Sequence, residues 1–271
     1  MTKTLATTTS ATKTSALLIA AFISSTALVS TARAESFVAL SGNATLTPFD
    51  SKSLKAGKPM AIKGVNGKVV GIDVRPSDGM LYAVTTDGTV YTVDTKTGAA
   101  TQKSKLETML PPTAKATVDF NPVADRMRLI GSDGTSLRAN VDDGKVTVDG
   151  RLKYAEADKS AGKTPMVTAG AYSNSVKGTK ETALYDIDAT LGTFLKQAPP
   201  NDGILSTLGS LGIKGSDTSF DISTDATGKN TGFALRNARL YTVDIATGAT
   251  AAVGKVKGLS GSVRDIAVIA P

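Results

Sequence analysis

Two stretches of this chain repeat one another. Leu81 onward reads LYAVTTDGTVYTVDTKTGAATQ, and Phe233 onward reads FALRNARLYTVDIATGATAAVG. Each has an alternating strand, a short polar turn, a second strand ending in Tyr-Thr-Val-Asp, a Thr-Gly turn and a third strand. Asp and Gly in those turns supply the left-handed backbone angles that tight hairpins need. A further short strand precedes each stretch, GIDV at 71–74 and SFDI at 219–222. The repeating unit is therefore four antiparallel strands, and a repeat of this length constrains the fold more than any local motif.

Weaker copies line up with these two. TVDFNPVADRMRLIGSDGTSLRANVDDGKVTVDG from Thr117 supplies one, and VTAGAYSNSV, TALYDID, TFLKQAP and ILSTLG supply another. SVRDIAVIAP at the C-terminus offers only a first strand. SFVALSGN, TLTPFD and KPMAIKG near the N-terminus offer the missing second, third and fourth. The centres of the first strands, Asp73, Asp119, Gly170, Asp221 and Asp265, lie 46, 51, 51 and 44 residues apart. Restarting at Glu35 after residue 271, the step back to Asp73 is 45. The closing step matches the others, as a ring requires. The spacing predicts an all-β, five-bladed β-propeller with four antiparallel strands per blade and a closing blade built from both termini; closure removes exposed sheet edges. A two-sheet sandwich is the competing topology. No amphipathic helix is expected, only a short turn over 156–163.

Residues 1–34 do not belong to the repeat. Lys3 and Lys13, the apolar run from Ala16 to Val29 and Ala32-Arg33-Ala34 read as a secretory signal peptide with its cleavage site, leaving 35–271 as a single propeller domain. The apolar run is short for a membrane span, so no transmembrane segment is expected after cleavage. The product is periplasmic or extracellular. Losing Lys3, Lys13 and Arg33 leaves 28 basic against 24 acidic residues, a net charge of +4. So even a mixture argues against a nucleic-acid partner and gives no reason to expect an acidic one.

The strings NPVADRMRL (121–129), AYSNS (171–175), TALYDID (182–188) and QAPPNDGILSTLG (197–209) resemble a family of secreted bacterial proteins known as domain of unknown function number 4394. The resemblance runs from about Ala39 to Ala267. It implies a repeat-built extracytoplasmic domain and brings no catalytic residues with it.

The chain has no His, Cys or Trp. Imidazole bases, thiolate nucleophiles, zinc clusters and disulfides are excluded, so any site uses carboxylates, Lys, Arg, Tyr, hydroxyls, amides or backbone. Four of the five first strands carry an acid at their centre: Asp73, Asp119, Asp221 and Asp265, with Gly170 in the fifth. Charge is unusual in a strand packed between blades. Such a ring could hold a hard cation such as calcium. Alternatively, each acid accepts backbone N–H groups from the neighbouring blade, a reading that repetition at equivalent positions favours.

The longest loops expected on the binding face are 104–116, with Met109-Leu110-Pro111-Pro112, and 151–166, with Tyr154, Glu156 and Asp158. Arg75, Tyr172, Asn174 and Arg264 lie close to first strands, where guanidinium and amide groups could grip an anionic or sugar-like ligand. With Tyr154 and Asp158 they form the expected binding set. Arg126 and Arg128 read as solvated or paired with acids. PPNDG at 199–203 and the Asp-Gly pairs at 87, 133 and 143 read as turns, not calcium loops.

The expected function is a binding or interaction module with a small molecule or envelope protein at the channel mouth. A glycoside hydrolase or lyase using two channel carboxylates is the alternative. A structural envelope protein without a small ligand is the third.

Overall fold

In the computed structural model, residues 1–6 and 34–269 are described. The signal-peptide assignment falls mostly on 7–33, outside the described residues. From Ala34 onward the chain forms one compact unit. Its strands are β1 (Ser36–Ser41), β2 (Thr45–Asp50) and β3 (Met60–Ala61). The first complete blade follows as β4 (Val69–Val74), β5 (Leu81–Thr85), β6 (Thr89–Val93) and β7 (Ala100–Lys105). The second is β8 (Ala116–Asn121), β9 (Arg126–Gly131), β10 (Ser136–Ala139) and β11 (Val146–Val148). After β12 (Lys153–Tyr154), the third is β13 (Val167–Tyr172), β14 (Leu184–Asp188), β15 (Thr193–Gln197) and β16 (Ile204–Ser210). The fourth is β17 (Ser219–Thr224), β18 (Asn230–Arg236), β19 (Arg239–Val243) and β20 (Thr250–Lys255), and β21 (Val263–Ile269) ends the fold.

These strands form five sheets, each built on an antiparallel four-strand meander. The fifth has the order β21-β1-β2-β3, with Phe37 opposite Val268 and Ala39 opposite Ile266. Around the axis, β4, β8, β13, β17 and β21 each touch the next, and β21 touches β4. The result is an all-β, five-bladed propeller. One blade departs from four strands: β12 adds in parallel to the outer edge of β16. The long segment between β11 and β13 has room to fold back there, and it covers an otherwise open edge. Among the described residues the only helical element is a 3-10 turn at Pro200–Asp202, and no helix is long and apolar enough to cross a membrane.

Burial follows distance from the axis. Each blade packs face to face with two neighbours, so inner strands need apolar residues on both sides. All five residues of β5, LYAVT, are buried, whereas most of β7, ATQKSK, is exposed. The core divides into five clusters, one at each blade junction. Between blades one and two, Tyr82 meets Phe120 edge-on, ring centroids 5.2 Å apart. Each fully buried side chain of this size contributes about 1.5–3 kcal/mol.

The repeated Asp-x-x-Thr-Gly element has a local cause. Oδ1 of Asp94 accepts the N–H groups of Lys96 (2.7 Å) and Thr97 (2.9 Å), and Asp244 repeats this with Ala246 and Thr247. Gly98 then takes φ +73°, a left-handed angle that favours glycine. A side chain there would also run into the Ala61 carbonyl and Met60 of β3.

Candidate functional site

Four aspartates converge from the innermost strands and are nearly out of solvent, Asp73, Asp119, Asp221 and Asp265 being 4–8% exposed. Oδ2 of Asp73 accepts the N–H of Phe120 on the next blade at 2.7 Å. Asp119 takes that of Tyr172 (2.9 Å), Asp221 that of Val268 (2.6 Å) and Asp265 that of Ile72 (2.9 Å). Asp73, Asp221 and Asp265 use their other oxygen for the amide of the following residue. Seven of the eight oxygens thus accept a backbone N–H; among the described residues, Oδ2 of Asp119 has no such donor.

The same aspartates crowd one another. One oxygen each from Asp73, Asp119 and Asp221 lie within 4.8 Å of one another. Burial, then repulsion between the acids, pushes Asp73 and Asp119 well above the usual carboxylate range. Burial alone raises Asp221 to about 7, and burial, with a smaller push from Asp221, raises Asp265 well up. Chemically the group can share protons or surround a small hard cation.

Gly170 is not the counterpart of these acids. It shares its face of β13 with Tyr172, whose hydroxyl accepts a hydrogen bond from Arg128 of blade two. Ala169 and Ala171 are the residues that face forward, packing with Phe220 and Ile222 of blade four. A one-residue slip in a strand reverses every side chain, and the interval count carries no information on facing. The backward-facing place holds Asp186, opposite Gly170 on β14; a Cβ on Gly170 would collide with its Oδ1. Asp186 is fully buried, neither oxygen has a hydrogen-bond partner among the described residues, and burial raises its carboxyl to about 7.

The expected binding residues separate between the two ends of the channel. Arg75, Tyr172 and Asn174 lie where inner strands end, and Arg264 where one begins. Arg75 clasps blade one to blade two, donating to Asp125 (2.8 and 2.6 Å) and Asp142 (3.1 and 2.8 Å). Its guanidinium is used up by carboxylates. Tyr172 is buried on Arg128, and Arg128 in turn pairs with Asp149 and donates to Asn201 of the PPNDG turn (2.8 Å). Asn174 exchanges hydrogen bonds with Asn230 and edges a cleft of about 410 Å³ that also takes in Val176, Lys180 and Glu181. Tyr154 donates to Asp188 (2.6 Å), while Asp158 accepts from the amide and hydroxyl of Thr207, pinning 151–166 to β16.

At the strand-start end, Arg264 donates Nη1 to the Val69 carbonyl at 2.9 Å. Sequence reasoning missed its companion, Lys115. Hydrogen bonds with Ser132 on both sides hold the Lys115 backbone, and its side chain reaches from blade two to the Ser216 and Thr218 carbonyls before blade four. Nothing in the string AKATVDF marks that lysine as one that crosses the channel.

The family model for the domain of unknown function DUF4394 matches residues 45–267. The chain belongs to that family. No curated protein matches this DUF4394 chain. Among solved structures it is similar to a protein of unknown function from Bacteroides thetaiotaomicron, at 18% identity and a TM-score of 0.50 over 85% of this chain and 63% of that one. A protein of unknown function from Bacteroides caccae matches at 11% identity and a TM-score of 0.44 over 88% and 100%. An auxiliary nutrient binding protein from Bacteroides thetaiotaomicron matches at 16% and 0.45 over 74% and 53%. The DUF4394 chain thus spans 63% of the first of these structures.

Proposed function

We propose that this chain is an exported β-propeller binding module, periplasmic or extracellular, whose small-molecule ligand or envelope partner docks at the strand-start end of the channel. The observation that supports this most is the state of the polar groups at the two ends of the channel. Arg75, Tyr154, Asp158 and Tyr172 are consumed by the fold, whereas Lys115 and Arg264 both lie at the strand-start end and, among the described residues, donate hydrogen bonds only to backbone carbonyls. The four channel acids serve as blade-to-blade latches in this reading. Native mass spectrometry of the full chain purified from its own host tests it. A retained small molecule or a co-purifying envelope protein is expected; a bare chain from several growth conditions would favour a purely structural role. Cell fractionation tests export in the same preparation.

A second reading, a hard cation such as calcium among Asp73, Asp119 and Asp221, rests on their close oxygens and the unused Oδ2 of Asp119. The carboxylate glycosidase or lyase has less in its favour. It needs two acids flanking a substrate in an accessible cleft, and these acids are buried and held by amides.

A further inference from the structure

Resting on the binding-module reading, we propose that the strand-start mouth of the channel is a site for a small oxyanion, a carboxylate or phosphate group gripped between Lys115 and Arg264. Both side chains are half-buried, and neither takes part in an ion pair among the described residues. A desolvated cation is ordinarily paired. The acids nearest to them are already engaged. Asp217 is turned to Arg236 at 2.9 Å. Both oxygens of Asp265 accept backbone amides, and burial favours its protonated form.

Donors remain to receive an anion. An ammonium has three N–H groups and a guanidinium five. Lys115 spends two of its three on the Ser216 and Thr218 carbonyls, leaving one, and Arg264 spends one nitrogen on Val69, leaving Nε and Nη2. Burial lowers Arg264 and brings Lys115 down to about 8; the Arg264 charge pushes Lys115 further down, while Asp265 and Asp217 pull it partly back up. A bound oxyanion would relieve both. The site is local, so the modest net charge of the whole chain does not bear on it.

The test is protection of Lys115 from acetylation in the full chain, read by peptide mass spectrometry with exposed Lys153 as internal reference. Inorganic phosphate and succinate are the probes, and sodium chloride at matched ionic strength is the control. Saturable protection of Lys115 but not Lys153 is expected with at least one probe, and which one protects distinguishes phosphate from carboxylate. In Arg264→Gln the protecting concentration should rise about tenfold or more, the loss expected for a charge-assisted hydrogen bond, while Arg264→Lys recovers part of it. Protection equal to that by chloride, or unchanged in Arg264→Gln, overturns the proposal. If Arg264→Gln fails to fold, the wild-type comparison of the probes with chloride still decides. A neutral ligand found by native mass spectrometry together with no protection would overturn this inference and leave the binding-module reading standing.

Discussion

Oδ2 of Asp265 accepts the N–H of Ile72 at 2.9 Å, tying together residues 193 positions apart where the last inner strand meets the first complete blade. Oδ1 of the same carboxylate holds the amide of Ile266. The ring is joined here by a hydrogen bond as well as by apolar packing.

Asp265→Ala leaves two buried amides without an acceptor. A loss of about 1–3 kcal/mol per orphaned donor is the usual cost, so urea denaturation should show a clearly lower midpoint. A midpoint equal to wild type would show that packing alone closes the ring.

Stability should fall as pH rises from about 4 to 7. Burial raises Asp186 and Asp221 to about 7, and burial with repulsion among the acids raises Asp73, Asp119 and Asp265 well above an ordinary 3.8. Across that window the folded chain holds more protons than the unfolded one, so its advantage is full at the acid end and lost on the way up. Below about 4 the trend reverses. Lys105 holds Asp87 low, and Arg75 holds Asp125 low and Asp142 at about 2; protonating these carboxylates removes their stabilisation. Urea midpoints at pH 5 and pH 8 check this, and a flat or rising profile would be incompatible with it.

Asp149→Ala should cost about 3–5 kcal/mol, because it strands the buried Arg128. Arg128 is 1% exposed and Asp149 is its carboxylate partner. Arg138→Ala, at the more exposed side of the same acid, should cost at most about 1 kcal/mol. Thermal and urea melts of the two variants compare them directly, and equal losses would contradict the assignment.

Gly170→Ala drives a methyl group into Asp186 Oδ1 and to 2.8 Å from the Tyr185 carbonyl. A loss of about 1–3 kcal/mol is expected for overpacking. Adding Asp186→Ala should restore part of it, since the two residues share one space. Strict additivity in the double-mutant cycle would mean they do not meet.

Calorimetric titration of calcium into the full chain separates the two roles open to the channel acids. As amide-held, proton-sharing latches they should give no heat at high micromolar calcium. Saturable heat that Asp119→Asn abolishes would establish the cation site instead.

Much of this architecture was legible in the chain. The Tyr-Thr-Val-Asp and Thr-Gly repeat, the matching intervals and the Asp-Gly turns mark the strands and count the blades, because each is a local property of hydrogen bonding and backbone angle. The inner-strand acids were visible for the same reason, and their amide partners follow from the need to satisfy any buried carboxylate. Facing was not legible at Gly170, where one position decides which neighbour a side chain meets. Nor was the fate of the arginines. Whether Arg75 is free or clasped depends on Asp125 and Asp142, which only the blade-two turns bring within reach. Lys115 is the clearest case. Its sequence neighbours are ordinary, and its place across the mouth exists only because ring closure sets the start of blade two opposite the start of blade four. Alternation and turn chemistry act over a few residues and were determined by the sequence alone; pairing between blades is a distance across the ring, and only the tertiary structure decides it.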